Sequence, residues 1–392
     1  MANFDEIIDR KNSYSLKHDF ARERGKPEGL IPLWVADMDF RAPDAVVDAL
    51  TAASKAGIFG YTVPKPDYYE VVRGWFSERY DYVFRDEHVI TTPGIVYALA
   101  MSVRAFTEEG DAVLIQRPVY HPFSEVIDDN RRKLVNSPLV QEPDGKFRMD
   151  FTDFERKVRE ENVKLFILCS PHNPVGRVWT RAELEQIGDI CVKYGVVVVT
   201  DEIHCDFTYP GYKHTSFTTV KESFEDIAIT CTAPSKTFNF AGLQISNIII
   251  KNQQLRRKFR KELDKSGYSQ PALMGIVACK AAYEYGGPWL EELRAYLKGN
   301  LDFLRAFLKE RIPQIKMTEP EGTYLVWLDF RTVASSVEDA DDLITNRAGL
   351  WLSEGSSYGP EGIGFQRINM ACPRSVLRQA LEQLAVAVAD RG

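Results

Sequence analysis

Several short runs in this chain are apolar or β-branched from end to end, and each gives way at once to polar or proline-rich sequence. Ala112-Val113-Leu114-Ile115, Leu165-Phe166-Ile167-Leu168-Cys169 and Val196-Val197-Val198-Val199-Thr200 are of this kind. A run with no polar face is a strand covered on both sides, the situation of a parallel sheet packed between helices. Between the second and third runs, Arg181 to Ile190 carries apolar residues at helical spacing, with Thr180 as N-cap and Glu183 completing a capping box. That makes one strand–helix–strand unit. Similar alternation from about 42 to 280 predicts an α/β fold with a mainly parallel sheet.

The chain has 392 residues, 44% of them hydrophobic, more than one compact domain usually holds. After about residue 288 the pattern changes. An amphipathic helix through Leu290 to Leu308 precedes Thr323-Tyr324-Leu325-Val326-Trp327-Leu328-Asp329-Phe330, which alternates like a half-exposed strand. The expected organisation is an N-terminal arm over 1–41, with Leu30 to Val35 extended and packed on the small domain. A large domain over 42–287 and a smaller α+β domain over 288–392 follow.

A net charge of -7, from 49 Lys and Arg against 56 Asp and Glu, provides no field for polyanions, so nucleic acid is not an expected partner. No window reaches about eighteen uninterrupted apolar residues, and the first residues lack a signal-peptide pattern, so a cytoplasmic protein with no membrane partner is expected. The six cysteines are scattered without a Cys-x-x-Cys pair; they read as buried thiols, and no metal site is expected.

Ligands of open α/β sheets bind beyond the carboxyl ends of the strands. There the chain places Ser170-Pro171-His172-Asn173-Pro174-Val175-Gly176, then Asp201-Glu202-Ile203-His204, and, after Ile227 to Thr230, Cys231-Thr232-Ala233-Pro234-Ser235-Lys236. Taken singly, Asp201 reads equally well as a helix N-cap and Lys236 as a solvated loop lysine. Together with Asn173 they suit pyridoxal phosphate. A lysine amine condenses with its aldehyde, a carboxylate keeps its pyridine nitrogen protonated, and an amide hydrogen-bonds its phenolate oxygen. A phosphate site is offered by Thr91-Thr92-Pro93-Gly94-Ile95-Val96-Tyr97, a turn opening into a helix whose free N–H groups and dipole favour anions; alone, Gly94 is a plain turn glycine.

These segments resemble the fold-type I pyridoxal phosphate enzymes, the aspartate aminotransferase superfamily. Its marks stand here in order as Asn173-Pro174-Val175-Gly176, Asp201-Glu202-Ile203-His204 and Ser235-Lys236-Thr237-Phe238, and the likeness runs over nearly the whole chain. The resemblance implies that Lys236 holds the cofactor covalently in the large domain, with Asp201, Asn173 and His204 around its ring. Gly94, Ile95, Val96 and Ser235 would hold its phosphate. Tyr120, in Arg117-Pro118-Val119-Tyr120-His121, would stack on the ring as a second catalytic residue. Tyr61 would reach the phosphate from a neighbouring subunit, which makes the unit a homodimer. Arg367, in Gln366-Arg367-Ile368-Asn369, would clamp the α-carboxylate of an amino-acid substrate bidentately. Asn173, Val35 and Ala36 would also face the substrate.

Trp34-Val35-Ala36-Asp37-Met38-Asp39-Phe40 resembles the arm of the carbon-sulfur β-lyase branch, the cystathionine β-lyase-like and cystalysin-like proteins. His204 stands where many transaminases have tyrosine, and Gln244 where their pattern puts a phosphate-binding arginine. The resemblance implies cleavage of cystathionine or related S-substituted cysteines to a thiol, pyruvate and ammonia. An aminotransferase, or a regulatory protein that keeps the cofactor, are the alternatives. His121 and His172 flank the site as structural histidines or, alternatively, proton shuttles.

Overall fold

The computed structural model describes residues 2–391. In chain order the strands are β1 (Ile31–Pro32), β2 (Val89–Thr92), β3 (Ala112–Ile115), β4 (Lys133–Asn136), the hairpin pair β5 (Val140–Gln141) and β6 (Phe147–Arg148), β7 (Leu165–Cys169), β8 (Val197–Asp201), β9 (Ala228–Thr232), β10 (Ser246–Ile249), β11 (Lys316–Met317), β12 (Leu325–Asp329), β13 (Leu350–Trp351), β14 (Ser353–Glu354) and β15 (Phe365–Asn369). Seven of them form the main sheet in the order β2-β10-β9-β8-β7-β3-β4. Only β10 runs against its neighbours, β2 and β9; the other pairings are parallel. All the remaining strands therefore end on the same side of the sheet.

The run Leu165–Cys169 is buried throughout, because its two faces meet two different cores. Phe166 and Leu168 pack with Leu184, Ile187 and Cys191 of the helix Arg181–Tyr194. Leu165 and Ile167 pack with Leu99 and Val103 of the helix Ile95–Phe106. Helices on both faces are what the unbroken apolar runs require. The helix Arg181–Tyr194 starts at the predicted capping box, with Glu183 N donating to Thr180 Oγ1 at 3.2 Å and Thr180 N donating to Glu183 Oε2 at 2.8 Å.

The second sheet is antiparallel, in the order β11-β12-β15-β14, beside the long helix Gly287–Arg311. Here the sequence reading needs correction: Thr323 to Phe330 is not half-exposed, since Thr323, Tyr324, Leu325, Val326, Trp327, Leu328 and Phe330 are all buried. The face expected to meet water carries Trp327, which stacks on Phe365 at 5.2 Å and joins the core beneath the main sheet, whereas Leu325, Val326 and Leu328 join the other. Residue-type alternation marks the two faces of a strand but not what covers each.

The segment before residue 41 has no core of its own. β1 pairs in parallel with β13, Leu33 N donates to Trp351 O at 2.8 Å, and Trp34 stacks on Trp351 with ring centroids 4.3 Å apart. Lys17, fully buried, pairs with Asp39 at 2.7 Å, and Arg10 pairs with Asp37 and Asp39. All six cysteines are buried and unpaired. Among the described residues no helix is long and apolar enough to cross a membrane.

Candidate active site

The common direction of the strands brings the predicted residues to one edge. Asp201 ends β8, in register with Cys169 of β7 and Cys231 of β9. Asn173 follows β7, Tyr120 follows β3, Gly94 follows β2, and Lys236 sits on the single helical turn Pro234–Thr237 just after β9. Register thus sets the side-by-side placement of Asn173, Asp201 and the Lys236 turn.

Lys236 Nζ donates to the carbonyl of Ala36 at 3.0 Å. Burial lowers its pKa to about 8; Asp37 opposes that shift, Arg367 adds to it, and Asp201 opposes it. Asp201 is 5% exposed, and its carboxylate accepts a hydrogen bond from Ile203 N at 3.2 Å. Burial raises its pKa to about 7, a rise that the Ile203 N–H and the positive charge of Lys236 moderate. A carboxylate held this way is best matched by a cationic or N–H partner. His204 is also buried, and among the described residues its Nδ1 has no hydrogen-bond partner. Burial and then the charges of Lys236 and Arg367 depress it to about 3, so its ring is neutral. Tyr120 is raised to about 12 by burial, with Arg367 pulling the other way and Asp201 adding to the rise.

Arg367, buried on β15, donates from Nη1 to Asn173 Oδ1 at 3.0 Å and from Nη2 to Trp34 O at 2.5 Å, while its buried Nε has no partner among the described residues. It joins the second sheet to the edge of the first. Val35 and Ala36 contribute their backbone carbonyls here. Val35 O accepts from Asn369 Nδ2 at 2.6 Å, and Ala36 O accepts from Tyr324 OH at 2.8 Å as well as from Lys236.

Gly94 caps the helix Ile95–Phe106 with no side-chain cap on its first N–H groups, and a Cβ built on Gly94 meets nothing within 4 Å. The first N–H groups of that helix are thus left without a side-chain acceptor, as an anion site requires. Ser235 shares the Lys236 turn. Gln244 is exposed in a left-handed conformation, φ 50°. Tyr61 stands apart: it is 96% exposed and, among the described residues, makes no hydrogen bond within its own chain. His172 is buried, with Nε2 2.9 Å from Pro118 O and its pKa lowered to about 4 by burial. His121 is partly exposed beside Glu125.

Residues 28–384 match the family model "Aminotransferase class I and II". The chain belongs to the class I and II aminotransferase family. Within that family it is 42% identical to cystathionine beta-lyase PatB of Bacillus subtilis (strain 168), over 98% of this chain and all of that protein. To protein MalY of Escherichia coli (strain K12) it is 32% identical, over 99% of each. Its structure superposes on that of cystalysin from Treponema denticola, which contains a pyridoxal 5'-phosphate cofactor, with TM-score 0.96 and 37% identity over the whole of both chains. A PLP-bound carbon-sulfur lyase from Staphylococcus hominis matches with TM-score 0.92 and 35% identity, over 98% of each chain.

The residues present in this family member fit that cofactor. A lysine amine and a carboxylate with one backbone hydrogen bond share the strand-end edge, among the described residues two buried nitrogens (His204 Nδ1, Arg367 Nε) have no partner, and a helix start carries no side-chain cap. Reasoning from sequence missed the residues that brace the arm against this site. Asn239 Nδ2 donates to Met38 O at 3.0 Å and to Phe40 O at 2.7 Å, and Met38 N donates to Asn239 Oδ1 at 2.9 Å. Asn369 Nδ2 donates to Val35 O and Asp37 O, both at 2.6 Å. Asn239 and Asn369 sit three and two residues from Lys236 and Arg367; proximity in sequence was the only available signal.

Proposed function

We propose that this chain is a pyridoxal phosphate-dependent carbon-sulfur β-lyase, cleaving cystathionine or a related S-substituted cysteine to a thiol, pyruvate and ammonia. The observation that carries the reading is the Lys236 amine on the turn after β9, donating to Ala36 O at 3.0 Å at the strand-end edge that also carries Asp201 and Asn173, with its pKa lowered to about 8. An amine in that range is a usable general base near neutral pH.

When bound, pyridoxal phosphate supplies an electron sink conjugated to the substrate's Cα. Asp201 would hold a proton at the ring nitrogen, Asn173 and His204 would hydrogen-bond the ring, and Tyr120 would pack against it. The N–H groups of Ile95 and Val96, with Gly94 leaving room and Ser235 adding a hydroxyl, would hold the phosphate without an arginine at Gln244. Arg367 would take the α-carboxylate in a two-point contact, exchanging the Trp34 carbonyl for the substrate while Asn173 keeps the guanidinium in plane. The Lys236 amine would take the Cα proton as general base. Elimination then breaks the Cβ–S bond, its electron pair leaving with sulfur, and Tyr120 or solvent protonates the thiolate. The released three-carbon enamine takes up water to give pyruvate and ammonia.

Pyruvate and thiol release from cystathionine, without any added 2-oxo acid, tests the reading. Turnover that requires a 2-oxo acid and forms no thiol would make the chain an aminotransferase instead; a role that survives Lys236→Ala would make it regulatory. We further propose a cytoplasmic homodimer in which Tyr61 completes the partner's site. This reading is supported by the run of exposed apolar side chains Ile58, Phe59, Tyr61 and Val63, too apolar to face water unaided. Sedimentation at the mass of one chain would end it.

A further inference from the structure

Asp206, two residues past His204, is buried at 5% exposure. Among the described residues no lysine, arginine or histidine lies within ion-pair distance of it. Three neutral donors hold its carboxylate instead: Trp75 Nε1 to Oδ1 at 3.2 Å, the Tyr80 hydroxyl to the same oxygen, and Thr237 Oγ1 to Oδ2 at 2.6 Å. Trp75 and Tyr80 belong to the helix Pro66–Tyr80, and Thr237 follows Lys236 directly. A buried carboxylate is costly to keep unless each oxygen is satisfied, so one that joins a helix to the turn bearing the lysine calls for a reason.

The turn supplies it. Pro234–Thr237 is four residues long, and an isolated turn of that length does not hold itself. On one side Asn239 ties it to the arm; on the other, Thr237 is its side-chain tie to the large domain. We propose that Asp206 is a positioning residue for Lys236: anchored by Trp75 and Tyr80, it holds Thr237 and thereby fixes where the Lys236 amine stands when it takes the Cα proton. The proposal rests on the reading of Lys236 as the base. Phe238 and Thr237 are both buried, so the turn can shift only by losing this tie or disturbing the core. A small displacement of a base costs rate steeply while leaving substrate affinity nearly unchanged.

The test compares Thr237→Val, which keeps shape but removes the donor, with Thr237→Ser, which keeps the hydroxyl, and with Trp75→Phe, which removes a donor to the same carboxylate away from the turn. Each holoenzyme is measured for kcat, KM, the pH midpoint of the bound cofactor's absorbance and melting temperature. Thr237→Val is expected to bind cofactor and lose kcat by about tenfold or more, with KM changed less than about twofold and a displaced pH midpoint. Thr237→Ser should restore both, and Trp75→Phe, which leaves the Tyr80 hydroxyl to anchor Asp206, should lower kcat and move the midpoint in the same direction but by less. Wild-type kcat and midpoint in Thr237→Val, or a loss of kcat in Thr237→Val with the midpoint unmoved, overturns the proposal. Should Thr237→Val not fold, Thr237→Ala carries the same comparison. Lys236→Ala run alongside separates the two claims: if it keeps turnover, the reading of Lys236 fails first.

Discussion

The strand-end loops of the main sheet and the arm from Trp34 to Phe40 meet at the Lys236 amine, yet they hold their shapes by opposite means. Asp201 is fixed by its own strand, paired on both sides and flanked by two cores. The arm contributes Ala36 O to the same amine but is held by hydrogen bonds from Asn239, Asn369 and Arg367 and by the pairing with β13. Asp201 thus sits on the sheet itself, whereas Lys236 rides on a short turn just beyond it. The arm is instead held from several directions, by hydrogen bonds, by the ion pairs of Lys17 and Arg10 with Asp37 and Asp39, and by the stacking of Trp34 on Trp351.

Lys236→Ala should break the strand-end side outright, with pyruvate release falling by at least about 10³-fold and the covalent cofactor absorbance disappearing. Asp201→Asn sharpens the comparison through pH. In the cofactor-free protein the folded-state pKa of Asp201, about 7, lies above its unfolded value. Its contribution to stability is therefore complete below about pH 4 and is lost as pH rises through 7. Denaturant unfolding of the cofactor-free proteins should show Asp201→Asn gaining on wild type over that window, by a few kcal/mol at the order-of-magnitude level. With cofactor bound the ranking should reverse. A gain that continues above pH 8 would assign the effect elsewhere.

Arg367→Lys keeps the charge but gives up the two-point geometry and the bond to Trp34 O, and should lower kcat/KM by about 10²-fold. The smallest effect belongs to the arm. Asn239→Ala removes three hydrogen bonds to Met38 and Phe40, and should cost about tenfold in kcat/KM. Amide exchange over 34–40 should accelerate while the main sheet keeps its protection. Equal acceleration in both regions would show that arm and sheet are one cooperative unit.

Much of this site was readable along the chain because each residue follows a buried strand directly. The apolar runs announce where strands end, and Asn173, Asp201 and Lys236 stand within a few residues of those ends. The braces were not readable. Asn239 and Asn369 are ordinary polar residues until the fold places Met38 and Val35 beside them, and Asp206 looks like a loop carboxylate until Trp75, Tyr80 and Thr237 converge on it from two other elements. Trp327 shows the same limit from the apolar side. The period of its strand is local, but the cover on its outer face comes from residues far away in sequence.

By itself, then, the sequence determined the layered α/β architecture, the order of the strand-end motifs and the chemistry they suit, since backbone periodicity and residue type are local properties. Only the tertiary structure decided which carbonyl the lysine amine meets, which guanidinium crosses between the sheets, and that Asp201 and Lys236 are buried far enough to move their pKa values toward neutrality. Those depend on desolvation and on contacts between residues as distant as Ala36 and Lys236, which no spacing along the chain encodes.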